Sequence, residues 1–214
     1  MNKLFLAAVL FAANLSVTQS VHALSVSVIP SAGSTLMGGN VNADLIISDL
    51  GSGGVGATVG TFDINIGFNP SILSLNNVMF GALLGNLSLS EAIAAFDNST
   101  SGTINLFEVS LLEASASTCV FCQAPYLDSL QPSSFLLATL SFIGTSQGTS
   151  ALTPVINAIG DGDGNDLSEG LITAAGSLTV GRPVTVPEPG IFALLSVGLL
   201  GWMFSNRKKL RVLA

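Results

Sequence analysis

Positive charge is the scarcest property of this 214-residue chain, and its six Lys and Arg residues are unevenly placed. Lys3 stands near the start, Arg207, Lys208, Lys209 and Arg211 stand near the end, and Arg182 is the one cation between Leu24 and Val186. Of the 13 acids only Glu188 lies outside that stretch, which therefore carries a net charge near −11, against −7 for the whole chain. A surface of that sign repels phosphate backbones and anionic headgroups, so nucleic acid is excluded as a partner. The single His, His22, and the single Trp, Trp202, also fall outside the stretch, which has one Tyr, Tyr126, and no Lys. Without His or Lys, a serine triad, a His-based metal site or a Schiff base lacks its reacting group. Carboxylates alone remain for acid–base work. Glu91, Glu108 and Glu113 lie in or near strand-like segments, and glycoside hydrolysis needs two such acids across a cleft. The aromatic platforms of a sugar site are missing, so these acids read as solvent-facing strand residues and no catalytic residue is assigned.

What is present is most distinctive at the two ends. Lys3 followed by the unbroken apolar run Leu4 to Ala13, and then Val21-His22-Ala23, has the order of a cleaved secretory signal. Signal peptidase is expected to act between Ala23 and Leu24, so that residues 1–23 are removed. At the far end, Ile191 to Phe204 is 14 residues without a charge, followed by the basic cluster Arg207, Lys208, Lys209 and Arg211. As a helix this run spans about 21 Å against a hydrocarbon core of about 30 Å, so it makes a short membrane segment. The basic cluster belongs on the cytoplasmic side, which places the middle of the chain outside.

Between these ends the dominant signal is alternation with period two. In "VNADLIIS" Val41, Ala43, Leu45 and Ile47 fall on one face, and in "TFDINIGF" Phe62, Ile64, Ile66 and Phe68 do, with Asp63 and Asn65 opposite. "SVSVIP", "ILSLNNVMF", "TINLFEVSLL", "FLLATLSFIG" and "GSLTV" read as further strands between Gly, Asn, Ser and Pro clusters. In "TINLFEVSLL" the apolar phase slips between Leu106 and Phe107, the pattern expected of a β-bulge. "LSLSEAIAAFD" is ambiguous. Ser88 three residues before Glu91 fits a capping box and the alanines favour helix, while Leu87, Leu89, Glu91 and Ile93 also fit a strand. Short strands with polar turns predict an all-β sandwich.

Two family resemblances rest on these segments. Pro187-Glu188-Pro189, an apolar run and an Arg/Lys-rich end resemble the PEP-CTERM sorting signal of Gram-negative bacteria. The resemblance implies an exported protein held transiently in the inner membrane by its C-terminal helix, processed by an exosortase near the Pro-Glu-Pro triplet and passed to the cell surface. A permanent single-span anchor is the alternative. The segments "GTFDINIGFNPSILSLNNVMFGALLG", "LLATLSFIG" and "INAIGDGDGNDLSEGLITAAGSLTV", in that order, resemble the cohesin domain. That resemblance implies a jelly-roll β-sandwich of about nine strands over residues 24–181, and strand for the ambiguous segment. Residues 182–189 then form a linker with the Pro-Glu-Pro motif, and residues 190–214 the sorting segment. The stretch from Ala114 to Ser134 is longer than the family leads one to expect.

Two constellations could carry chemistry. "GDGDGNDLSEG" clusters Asp161, Asp163, Asn165, Asp166 and Glu169. As an EF-hand it fails, because the Gly and Glu positions are held by Asp166 and Ile172. Weakly held Ca2+ is the one cofactor left open, against a solvated turn in which Gly and Asp serve backbone geometry. Cys119 and Cys122, as "CVFC", read as a local disulfide in an exported protein, since zinc would need further ligands and no helix follows for a redox motif. The expected product is a non-enzymatic cell-surface or extracellular-matrix protein with a binding or structural role. Its alternatives are a cohesin module for a dockerin-bearing partner and a carbohydrate-binding module, with exopolysaccharide as a further candidate partner.

Overall fold

The computed structural model describes residues 23–51, 58–117, 123–182 and 199–200. The chain divides into two units between Gly181 and Arg182. In the second unit the described residues are Arg182 and the helical pair Leu199 and Leu200.

The first unit is built from alternating sequence. Among the described residues it has eleven strands: β1 (Ser25–Pro30), β2 (Ser34–Leu36), β3 (Asn40–Ser48), β4 (Thr61–Gly67), β5 (Leu73–Phe80), β6 (Ala92–Asp97), β7 (Thr103–Ser110), β8 (Phe135–Gly144), β9 (Gly148–Gly160), β10 (Ile172–Ala174) and β11 (Gly176–Gly181). β2 and β10 have three residues each, which leaves the nine longer strands of a cohesin-like sandwich. One sheet has the order β10-β1-β3-β8-β5, the other β2-β11-β9-β4-β7-β6. Most neighbours are antiparallel, and the two three-residue strands join in parallel, β10 to β1 and β2 to β11.

The buried faces are the ones the alternation marks out. Val41, Ala43, Leu45 and Ile47 of β3 and Phe62, Ile64 and Ile66 of β4 all lie in the core, with Leu137, Leu140 and Phe142 of β8 and Leu178 and Val180 of β11. The rings of Phe62 and Phe80, 6.4 Å apart, and of Phe68 and Phe142, 5.6 Å apart, tie one sheet to the other. Phe62 and Phe142, which are fully buried, each contribute about 1.5–3 kcal/mol by leaving water.

The phase slip in β7 is not a bulge. β7 pairs with β4 and with β6 without a register shift. The strand keeps strict alternation by turning Ile104, Leu106 and Glu108 inward, with Phe107 half-buried on the outer side. What slips is polarity, because an acid occupies a core position. The bulges fall elsewhere, at Leu45/Ile46 between β3 and β8, at Asp63/Ile64 between β4 and β9, and at Leu75/Asn77 between β5 and β8.

The ambiguous segment divides into two parts. Leu87–Leu89 forms a 3-10 turn whose cap is Asn86, with its side chain accepting from the Ser88 N–H at 2.9 Å. The Ser88–Glu91 capping box does not form; the Glu91 carboxylate instead accepts from the Asn86 N–H at 2.9 Å. Ser90 takes a left-handed conformation (φ 59°), and the chain then enters β6. Within the long stretch after β7, the helical turn α1 (Leu127–Leu130) tucks Leu127 into the interior.

Candidate functional site

The outer face of the six-stranded sheet carries a polar cluster on three adjacent strands. The alternation that buries Phe62, Ile64 and Ile66 turns Asp63 and Asn65 of β4 outward, and Asn105 of β7 stands beside them. The β9 bulge adds the fourth member. Ala158 pairs with Asp63 and Ile156 with Ile64, so Asn157 is the extra residue, and it is exposed beside Ala158. A bulge commonly re-aims one side chain in this way. Asp63 Oδ1 accepts from Asn105 Nδ2 at 2.6 Å and from Asn157 Nδ2 at 2.8 Å. Asn105 Nδ2 also donates to Asn65 Oδ1 at 2.9 Å, and Asn65 Nδ2 donates to Asn157 Oδ1 at 3.2 Å. Each side chain holds its neighbours in place, so the cluster is ordered before any partner arrives. Val155 on one side and Ile93 on the other are exposed apolar flanks.

The acidic loop after β9 spends its carboxylates on itself. Asp161 Oδ1 accepts from the N–H groups of Asp163 and Asn165 at 2.9 and 2.8 Å, and its Oδ2 accepts from Asn165 Nδ2 at 2.8 Å. Burial works against ionisation of Asp161. The hydrogen bonds from the side chain and backbone of Asn165 and from the Asp163 and Gly164 backbone together outweigh it and hold the carboxyl below its ordinary range. Asp166 accepts from the Ser168 N–H at 2.8 Å and hydroxyl at 2.9 Å, which likewise lowers it. Asp161, Asp163, Asn165, Asp166 and Glu169, the residues considered for calcium, lie together on this loop, with Asp161 and Asp166 accepting these internal hydrogen bonds. Among the described residues no three Asp, Glu, His or Cys side chains converge as a metal site. The loop's role in the fold is to pack against the 58–60 segment. Gly162 N–H donates to the Thr58 hydroxyl at 3.1 Å, and a Cβ on Gly60 would stand 2.5 Å from the Asp161 carbonyl oxygen.

Two side chains at this end are buried and polar, and they differ: Gln131 was not singled out by the sequence reading, and Glu108, expected to face solvent, lies in the core. Gln131, just after α1, accepts from the Val59 N–H at 2.7 Å and donates to the carbonyls of Val59 and Leu83 at 2.8 and 3.0 Å. It pins two loops to the helical turn. Glu108 is 0 % exposed, and neither of its carboxylate oxygens has a hydrogen-bond partner. It lies opposite Phe62 on β4 and Ala94 on β6. Burial pushes its carboxyl up to about 8, so at neutral pH the core holds it as the acid. The signal for Glu108 was in the sequence, as the phase slip itself. Gln131 left no periodic trace.

Of the acids considered for hydrolysis, Glu91 is engaged with the Asn86 N–H, Glu108 is sealed from any substrate and Glu113 is exposed. An open groove of about 320 Å³ lies at the opposite end of β4 from the acidic loop, with Phe68, Pro70, Ser74, Ser99 and Thr100 among its lining. Cys119 and Cys122 lie outside the described residues, as do Pro187, Glu188, Pro189, Arg207, Lys208, Lys209 and Arg211. At the other terminus Leu24 is described and buried, and its carbonyl accepts from the Ile172 N–H at 2.9 Å. No helix among the described residues is long and apolar enough to cross a membrane, and the Ile191–Phe204 run is described only at Leu199 and Leu200.

Comparison with known proteins bears on both parts of the chain. The family described as the PEP-CTERM protein-sorting motif matches residues 185–208. The seventh ScaB type I cohesin from Pseudobacteroides cellulosolvens superposes with TM-score 0.54 at 17% identity, over 77% of this chain and 96% of that one. A non-cellulosomal cohesin from the archaeon Archaeoglobus fulgidus does so with TM-score 0.53 at 15% identity, over 75% and 93%. The chain carries a sorting motif and a cohesin-like domain. The sixth cohesin of scaffoldin B from Acetivibrio cellulolyticus, solved in complex with a dockerin, gives TM-score 0.55 at 11% identity, over 75% and 100%. No curated protein matches the chain. The cohesin-like domain establishes the fold, and the PEP-CTERM motif marks an exported protein, sorted by exosortase and held transiently at a membrane through its C-terminal region.

Proposed function

We propose that the domain is a non-catalytic binding module of the cell surface or extracellular matrix, and that its partner docks on the outer face of β9, β4 and β7. The observation that carries this reading is the Asp63–Asn65–Asn105–Asn157 cluster, prearranged by four mutual hydrogen bonds on the outer face of the sheet. Such a group offers amide donors and carboxylate acceptors at fixed spacing, which suits the hydroxyl and backbone groups of a protein surface. Prior ordering lowers the entropy lost on association. A dockerin-bearing protein is the partner class favoured by the Acetivibrio cellulolyticus cohesin, which was solved with one. Non-catalytic action is supported by the sealed position of Glu108, which no substrate can reach. Proteins from the native surface and secreted fractions should be captured by the wild-type domain. The double variant Asp63→Ala/Asn105→Ala should weaken capture by about tenfold or more while leaving the fold intact. Equal capture by both proteins would overturn the assignment of this face.

A second reading, carbohydrate binding, is favoured by one feature, the groove lined by Ser74, Ser99, Thr100 and Phe68. A glycan array decides between the two. Glycan binding that is lost on Thr100→Trp and kept in the Asp63 double variant would move the site to the groove.

The C-terminal segment serves as an address in this proposal. Signal peptidase would free Leu24, the tail would hold the chain in the inner membrane of a Gram-negative cell with Arg207 to Arg211 inside, and exosortase would act near Pro187 to Pro189.

A further inference from the structure

The two sheets have four edges, and three of them carry a feature that discourages pairing with another strand. β2 and β10 are only three residues long. β5 is interrupted by a bulge at Asn76, the extra residue between Leu75 and Asn77. Short edges and bulged edges are the common ways by which folded proteins avoid edge-to-edge association. β6 has neither feature. It runs six residues in unbroken register against β7, and Ala92 to Phe96 contains no charge and no proline.

The direction of its free backbone groups follows from the ladder. Leu111 N–H donates to the Glu91 carbonyl, so the odd-numbered residues of β6 bond to β7. The N–H and C=O groups of Ala92, Ala94 and Phe96 therefore point away from the sheet, and no described strand pairs with them. Ile93 and Phe96 add exposed apolar area, 55% and 46% exposed, and Leu87, Leu89 and Leu111 are exposed nearby.

We propose that β6 is a strand-addition edge and that its occupant is β6 of a second copy of this chain, joined antiparallel about a two-fold axis at Ala94. In that register Ala94 meets itself, Phe96 meets Ala92 and Ile93 meets Ala95, so each large side chain faces a small one on both sides of the new ladder. All three outward-pointing residues of each strand gain their backbone partners. The domain is acidic, with Arg182 as the one cation between Leu24 and Val186, and within β6 the paired stretch Ala92 to Phe96 brings no charge of its own to the contact. The interface is isologous, so it closes at two copies and does not grow into a fibre. It leaves one like-charge contact at each end, Glu91 against Asp97. Added salt screens that contact, so the dimer tightens as ionic strength rises.

Sedimentation equilibrium of the exported protein tests this. The expected mass is that of two copies, with the dimer fraction increasing from low to high salt. Ala94→Pro removes an N–H that points away from β7, so it should leave the fold and Tm unchanged and halve the mass. Ile93→Glu, at an exposed position, should do the same by adding like charges, and it decides the matter where the proline variant fails to fold. A wild-type chain that stays a single copy at hundreds of micromolar overturns the proposal, even if a strand of some other protein adds to β6. So does a dimer that persists in Ile93→Glu.

Discussion

Asp63 and Glu108 lie one strand apart on the same sheet, on neighbouring rungs of the β4–β7 ladder, and face opposite ways. Asp63 points outward and accepts two side-chain amide hydrogen bonds. Glu108 points inward, where its oxygens meet none. The outer carboxylate is supported by the side-chain amides of Asn105 and Asn157. The inner one costs stability, since a buried polar group without a partner forfeits its hydration without replacement. The contrast teaches where to look for function. A prearranged polar group on the outside is equipped to meet something, whereas a lone acid in the core is a property of the fold and its pH response.

The largest expected effect comes from removing the inner acid. Glu108→Leu, of similar size and apolar, should stabilise the domain by about 3 kcal/mol at pH 8, measured by urea denaturation. The pH response of the wild type has a definite sign. The native state keeps the Glu108 proton up to about 8, while the unfolded chain releases it near 4.5. Native Glu108 thus holds the extra proton between those values, and stability falls as pH rises through that window, by at most about 1.4 kcal/mol per pH unit. Glu108→Gln cannot ionise and should remove that slope while remaining close to wild type at pH 4. A wild-type stability that rises across the window would break the comparison.

Gln131→Ala is the next largest. It leaves the Val59 N–H and the Val59 and Leu83 carbonyls without their partner, and should destabilise by about 2–3 kcal/mol, seen as a lower Tm. This sharpens the contrast, because a buried polar side chain with every bond made is one the fold depends on. Asp63→Ala should change stability by only about 1 kcal/mol, since its site is partly open to solvent. The smallest effect is expected from calcium. Millimolar Ca2+ should leave Tm unmoved, because Asp161 and Asp166 already hold backbone and side-chain donors.

Much of this was legible in the sequence. Alternation in β3 and β4 marked the core faces residue by residue, because half-buried strands expose every second side chain. The cohesin-like order of segments anticipated both the sandwich and its nine long strands. The Pro-Glu-Pro tail announced its family. The outer face was only partly readable. Asp63 and Asn65 were marked as opposite the core, but Asn105 and Asn157 come from strands 40 and 92 residues away from Asn65, and the bulge that exposes Asn157 has no local sign. Glu108 was misread in an instructive way. An acid in a core phase looks like a register slip, since apolar pattern is all that a sequence offers to fix the phase. The carboxylates of the acidic loop are displayed by the sequence, whereas the N–H groups that Asp161 and Asp166 accept from are not.

A surface binding module acts only where its tail delivers it, so the C-terminal peptide of the mature protein is the measurement that reaches the account most directly. Mass spectrometry of the native surface fraction should find a terminus near Pro187 to Pro189, with Ile191 to Ala214 absent. An intact chain ending at Ala214 in that fraction would contradict processing and make the segment a permanent anchor.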